Sequence, residues 1–227
     1  YMKNLLILLT IITSINFANV FHVNGDIYST IQSAINAAEE NDTVLVYQGL
    51  YFENININKT ITLSSLAMYD ELDTWFEYDP VSGQYEVTNE NILNTIINAS
   101  SPSDSNFTSA IVVQSSESNC ISPIISGFTI TEGMGTTVTE FIETPNGLQE
   151  IERKVGGGLY SYLTNSIISH NLFINNGGSK VQNGGALYSQ TSAEDWGFDD
   201  RASNTVRCEI NEININDNFY RNNNAIY

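Results

Sequence analysis

The sequence predicts an all-β chain wound into a stacked solenoid, and three observations lead there. Short runs of alternating β-branched residues, each bounded by Gly, Asn or Asp, recur along most of the chain. Near-identical phrases recur at unequal intervals: GGGLYSY at Gly156 with GGALYSQ starting at Gly184, and FINN at Phe173 with FYRN at Phe219. A single amphipathic helix precedes the first strands, where a solenoid needs its open end covered.

The elements follow in order. MKNLLILLTIITSINFA joins one Lys to an apolar run from Leu5 to Ile12, the shape of a secretory signal peptide over residues 1–18, with cleavage expected after Ala18. That run is too short to span a bilayer, and no later segment is apolar enough. In YSTIQSAINAAEEND, Ser29 and Gln32 form an expected capping box, and Ile31, Ala34, Ile35 and Ala38 share one helical face. No second helix is expected after Asn41. TVLVY, NINI and TITL then switch to period two, and NTIINA, AIVVQ, PIISGFTI, GGLYSY, SIISHNLFI, GALYSQ and EININ continue the series.

Repeats choose a solenoid over an antiparallel sandwich. PIISGFTI echoes SIISHNLFI, matching Ile124, Ile125 and Ser126 with Ile167, Ile168 and Ser169. With the polar stretch TSAEDWGFDDRASNTVRC removed, Phe219 lines up with Phe173. Stacked coils put like residues over like. Gly pairs then recur at a tight corner, and Asn recurs where a left-handed backbone or a ladder of amides is needed. Residues 19–227 read as one such domain, a fragment truncated at its C-terminus, with insertions at about 68–91, 133–155 and 191–208.

Composition narrows the function. The 227 residues carry 8 Lys+Arg against 26 Asp+Glu, a formal charge of −18, which argues against nucleic-acid partners. The two cysteines, Cys120 and Cys208, show no informative spacing and are expected to be separately buried thiols, with a disulfide formed after export as the alternative.

The segment TIQSAINAAEENDTVLVYQGLYFENININKTITLSS resembles the entry of right-handed parallel β-helix proteins of the pectin-lyase-like superfamily, where a capping helix precedes a DTV-V-GxY-E-I-I-K-ITL pattern. Gly156–Leu159 and Gly184–Leu187, with Phe173 and Asn176, then Phe219 and Asn222, resemble the paired repeats of polymorphic outer-membrane proteins and related bacterial surface β-helices. The resemblance runs from Tyr28 onward and implies a right-handed parallel β-helix. It does not specify an activity, because this fold hosts lyases, hydrolases, adhesins and structural passengers.

Candidate chemistry lies in the insertions. Trp75, Tyr78, Tyr85, Trp196 and Phe198 are the candidate carbohydrate-binding aromatics, with packing of each insertion onto the coil as the alternative. Glu194, Asp195, Asp199 and Asp200 offer hard oxygens to calcium, or form a solvated acidic loop. The lyases of the superfamily imply a Lys or Arg base beside calcium, for which Lys154, Arg153 and Arg201 are the weak candidates, with Lys180 behind them. None sits in a recognisable lyase motif, and the pectin-hydrolase NTD, GHG and RIK patterns are missing, Asp199-Asp200 alone matching its DD. His170 reads as a corner or core residue. The expectation is a secreted or surface-displayed monomer that binds polysaccharide or surface glycan without catalysis. Alternatives are a calcium-assisted polysaccharide lyase or related carbohydrate-active enzyme, and a structural passenger stalk.

Overall fold

Short strands separated by corners cannot bury an apolar face alone, so each must find its partner in another turn of the chain. The computed structural model describes residues 18–115, 120–190 and 213–226 and shows that solution. The first sheet contains β1 (Val20–Val23), β2 (Thr43–Val46), β5 (Thr62–Ser65), β11 (Ile124–Ser126), β16 (Ile167–Ser169) and β19 (Asn214–Asn216), in that order. The second contains β3 (Gly49–Phe52), β8 (Thr95–Asn98), β12 (Thr129–Thr131), β17 (Leu172–Ile174) and β20 (Phe219–Arg221). The third contains β4 (Ile55–Ile57), β10 (Ile111–Gln114), β15 (Leu159–Tyr162) and β18 (Leu187–Gln190). All pairs within these sheets are parallel, and the chain visits the sheets in rotation, as in a parallel β-helix.

Like side chains therefore stack. Val44, Leu63, Ile125, Ile168 and Ile215 form one column of the first sheet. Tyr51, Ile97, Ile130, Phe173 and Tyr220 form the corresponding column of the second. Ile55, Ile111, Leu159 and Leu187 complete the interior from the third. The expected match of Ile124–Ser126 with Ile167–Ser169 is the observed register. The expected match of Phe173 with Phe219 is not: Phe173 lies over Tyr220, and Leu172 over Phe219. Because strand side chains alternate between faces, this one-residue slip sends Phe173 into the core and turns Phe219 outward.

Corners repeat as well. Gly127, His170 and Asp217 occupy one column with φ of 85°, 55° and 50°, and Glu132, Asn175 and Asn222 another with 62°, 56° and 52°. Asn, Asp and His tolerate the left-handed region better than most side chains, which places His170 at a corner. Gly156 and Gly184 share φ of 62° and 63°. Beside them the coils approach so closely that a Cβ on Gly157 would lie 2.2 Å from the Gly185 carbonyl oxygen.

Two amide ladders tie the corners flanking the second sheet. Asn171 donates its side-chain N–H and its backbone N–H to Asn218 Oδ1, at 3.1 and 3.0 Å. Asn176 does the same to Asn223 Oδ1, both at 3.0 Å. The partner of Asn176 is thus Asn223, where the repeat comparison suggests Asn222.

At the first end, α1 (Ile31–Ala37) buries Ile31, Ala34 and Ile35 against β1, β2 and β4. Its N-cap is Thr30, whose hydroxyl accepts from Ser33 N, so the expected box of Ser29 and Gln32 is not formed. The helix's first N–H groups, of Ile31 and Gln32, are instead bonded by the carboxylate of Glu53 at 2.8 and 2.9 Å. Lys59 Nζ donates to the carbonyls of Ile35 and Ala38 at the other terminus. A second helix does exist after Asn41: α2 (Glu90–Asn94), capped by Asn89. Cys120 is disulfide-bonded, which overturns the expectation of two free thiols. The chain's other cysteine, Cys208, lies outside the described residues.

Candidate functional site

Two hairpins leave the solenoid. The first comprises β6 (Phe76–Asp79) and β7 (Gln84–Val87), joined by the turn at 80–83. Asp79 initiates that turn by accepting from Val81 N at 2.8 Å and Ser82 N at 3.1 Å, and these bonds hold its carboxyl below the usual value. The alternating sequence FEYD/QYEV sorts the side chains by face. Phe76, Tyr78, Tyr85 and Val87 share one side, while Glu77, Glu86, Asp79 and Gln84 share the other.

The aromatic side is fastened at its base and open at its tip. Trp75 is only 4 % exposed and packs among Ala67, Ile92 and Leu172, with Phe219 beside it. Its ring meets Phe76 edge-on at 5.3 Å, His170 at 5.8 Å and Phe219 at 6.4 Å. Trp75 is therefore the anchor of the insertion and presents no ring to a ligand. Tyr78 and Tyr85 stand opposite each other with centroids 5.4 Å apart, 55 % and 54 % exposed. Arg221, from β20, donates to the Tyr85 carbonyl at 3.2 Å and lies 3.9 Å from the Glu86 carboxylate. That contact joins residues 136 positions apart, so no sequence spacing could announce it.

The second hairpin joins β13 (Gly135–Thr144) to β14 (Gly147–Val155) and pairs at its base with β9 (Phe107–Thr108). Lys154 lies here, with Nζ donating to Ser105 O at 3.0 Å and Thr108 Oγ1 at 3.2 Å. Partial burial, with the neighbouring charge of Lys180, lowers its pKa. Arg153 is half-buried on the same strand.

A third aromatic group lies on the outer face of the third sheet. Tyr160 and Tyr188 stack at 6.3 Å, and Tyr160 and Tyr162 at 6.4 Å. Tyr160 is 5 % exposed, and burial with its two tyrosine neighbours pushes its phenol far above the usual value. This group is packing, closed where the Tyr78–Tyr85 pair is open.

Of the sequence candidates, the structure brings Tyr78 and Tyr85 together and sets Lys154 and Arg153 on the other hairpin. Trp196, Phe198, Glu194, Asp195, Asp199, Asp200 and Arg201 lie outside the described residues. Among the described residues no group of three or more His, Cys, Asp or Glu is arranged to hold a metal ion. No described helix is long and apolar enough to cross a membrane. Two clefts, of about 910 and 510 Å³, open beside α1 and beside the final coil, and neither is lined by Tyr78 or Tyr85. A ligand at the first hairpin would therefore lie on an open surface. No family model matches the chain, and no curated protein matches it either.

Proposed function

We propose that this is a secreted or cell-surface β-solenoid that binds a glycan on the first hairpin and carries out no chemistry on it. The observation behind this reading is the exposed Tyr78–Tyr85 pair, held in place by a buried Trp75. Each tyrosine offers an apolar ring to the C–H face of a sugar and a hydroxyl at its tip. Arg221, which reaches the hairpin at the Tyr85 carbonyl, supplies a donor for sugar hydroxyls. Immobilisation on a rigid hairpin lowers the ordering cost that exposed side chains otherwise incur on binding.

The test is a glycan array followed by titration of the best binder. Tyr78→Ala and Tyr85→Ala should each weaken binding at least about tenfold while leaving the melting curve near that of the parent. Unchanged affinity in both variants would remove the hairpin from the reading.

One observation favours the lyase alternative: Lys154 is shifted toward the neutral form that a base requires. Its ammonium already donates to two acceptors, which favours the charged form and opposes that role. A panel of uronate polysaccharides, with and without calcium, decides the matter. Unsaturated product that disappears in Lys154→Met would establish the lyase, and silence across the panel would dismiss it.

A further inference from the structure

Rings and hydroxyls hold a sugar at the first hairpin, but the charge around them decides which sugars arrive. Resting on the reading of that hairpin as a glycan surface, we infer that the glycan it takes is uncharged or amino-bearing. Carboxylates on the reverse face of the hairpin turn away uronates and sulfated sugars.

Charge is distributed here in an unbalanced way. Residues 68–91 carry seven Asp or Glu and no Lys, Arg or His. The alternation that sets Tyr78 and Tyr85 on one face puts Glu77, Glu86 and Asp79 on the other. Glu77 and Glu86 stand directly opposite each other in the ladder, a like-charge pair that weakens a hairpin. Asp79 accepts from Val81 N and Ser82 N, and these bonds hold its carboxyl below the usual value, so it keeps its charge into acid. At the root, Asp70 accepts from the side-chain amides of Asn89 and Asn91 at 2.9 and 2.8 Å, which fixes a further carboxylate beside the insertion.

The cation that reaches this hairpin is already engaged. Arg221 donates to the Tyr85 carbonyl at 3.2 Å, lies 3.9 Å from the Glu86 carboxylate and stands 5.8 Å over the Phe219 ring. Its remaining N–H groups can serve a sugar hydroxyl, while its charge faces Glu86. Lys154 stands on the other hairpin, bonded to Ser105 and Thr108. The whole chain carries a formal charge of −18, so distant groups do not offset the local excess. An acidic sugar on the tyrosine rings therefore meets net like charge.

These carboxylates act across the ribbon, not by contact, and that gives the effect a signature. The screening length is about 30 Å at about 0.01 M salt and about 8 Å at physiological strength. Repulsion thus crosses the hairpin in dilute buffer and fades as salt is added. Stacking of a C–H face on Tyr78 and Tyr85 carries no such dependence.

The experiment titrates the whole chain with matched oligosaccharides. The acidic pairs are a cello-oligosaccharide with its C6-oxidised form, and an oligogalacturonate with its carboxyl-reduced form. A glucosamine oligomer with its N-acetylated form makes the amino-bearing pair. At about 0.01 M salt the uncharged member of each acidic pair should bind at least about tenfold more tightly, and added salt should close the gap while the uncharged member's affinity holds. The glucosamine oligomer should bind more tightly than its N-acetylated form and lose that lead in salt. Glu77→Lys, on the face away from the rings, should narrow the acidic gap without changing uncharged affinity or lowering the melting temperature. The inference is overturned if the acidic members bind as tightly as the uncharged ones, if the gap ignores salt, or if Glu77→Lys leaves it intact. Tighter acidic binding that disappears in Arg221→Ala overturns it too, since the guanidinium would then be the recognition group. Equal binding of both members that is lost in Tyr78→Ala and Tyr85→Ala overturns this inference alone and leaves the glycan surface standing. Failure of every oligosaccharide to bind removes both.

Discussion

The two hairpins are attached in opposite ways. The first touches the solenoid through side chains: Trp75 and Phe76 against Phe219, Val87 in the same cluster, and Arg221 at the rim. Among the described residues its strands pair only with each other. The second grows out of the backbone, with β13 paired to β9 and Val155 bridged to Asn183. Buried hydroxyls lock its base, where Ser109 Oγ meets Thr136 Oγ1 at 2.7 Å and the Gly156 carbonyl at 2.6 Å. An insertion docked by side chains can offer one clean face to a ligand, because its other contacts gather at the root. One fused by backbone bonds gains rigidity along its base and spends polar groups there.

Trp75→Ala gives the largest expected effect. It empties a buried aromatic site worth about 3–5 kcal/mol, and the first hairpin should become the preferred site of limited proteolysis. A hairpin that stays protected in this variant would show that it, too, is held by something other than its anchor. Ser109→Ala should cost roughly 1–3 kcal/mol by chemical denaturation, since a buried carbonyl and hydroxyl lose their partner, yet the second hairpin should remain uncut. Cleavage of both hairpins in both variants would erase the contrast.

Lys154 adds a pH test at the base of the second hairpin. Its folded pKa lies below that of the unfolded chain, so the unfolded state binds more protons there. Stability contributed by this group therefore rises with pH from its folded pKa up to the ordinary lysine value of 10.5. Lys154→Met should flatten that rise in urea titrations across the alkaline range. An unchanged slope would remove Lys154 as its source. Arg221→Ala should have the smallest effect, about 0–1 kcal/mol, because its ion pair is solvent-exposed and 3.9 Å long. Release of the first hairpin in that variant would move the anchor from Trp75 to the rim.

Much of the solenoid was readable because its signals are local and periodic. Alternation and corner residues mark the strands, and the turn residues DPVSGQ and TPNG close the two hairpins. Where reading failed, the cause was a partner distant in sequence. The aromatics Phe173 and Phe219 invite a direct match, whereas register follows the ladder pairing of Asn171 with Asn218. Thr30 could not be separated from Ser29 as the cap while Glu53, the group that bonds the helix start, stood on another element. β1 is masked in the sequence because it borders the signal-like segment. The candidate site was half legible. Alternation exposes Tyr78 and Tyr85, but nothing local distinguishes Trp75, which is buried by residues from four separate stretches of chain.

The left-handed corner columns carry a consequence for how such a chain can change over generations. Glu132, Asn175 and Asn222 hold the same backbone turn, although a hairpin follows the first and much shorter connections leave the second. One turn of the coil advances 62 residues between Ser64 and Ser126 and only 43 between Phe128 and Asn171, with no break in stacking. Insertion length is thereby uncoupled from wall geometry. New surface can be spliced in at a bend and tried against the outside world while the wall itself stays under unchanged selection.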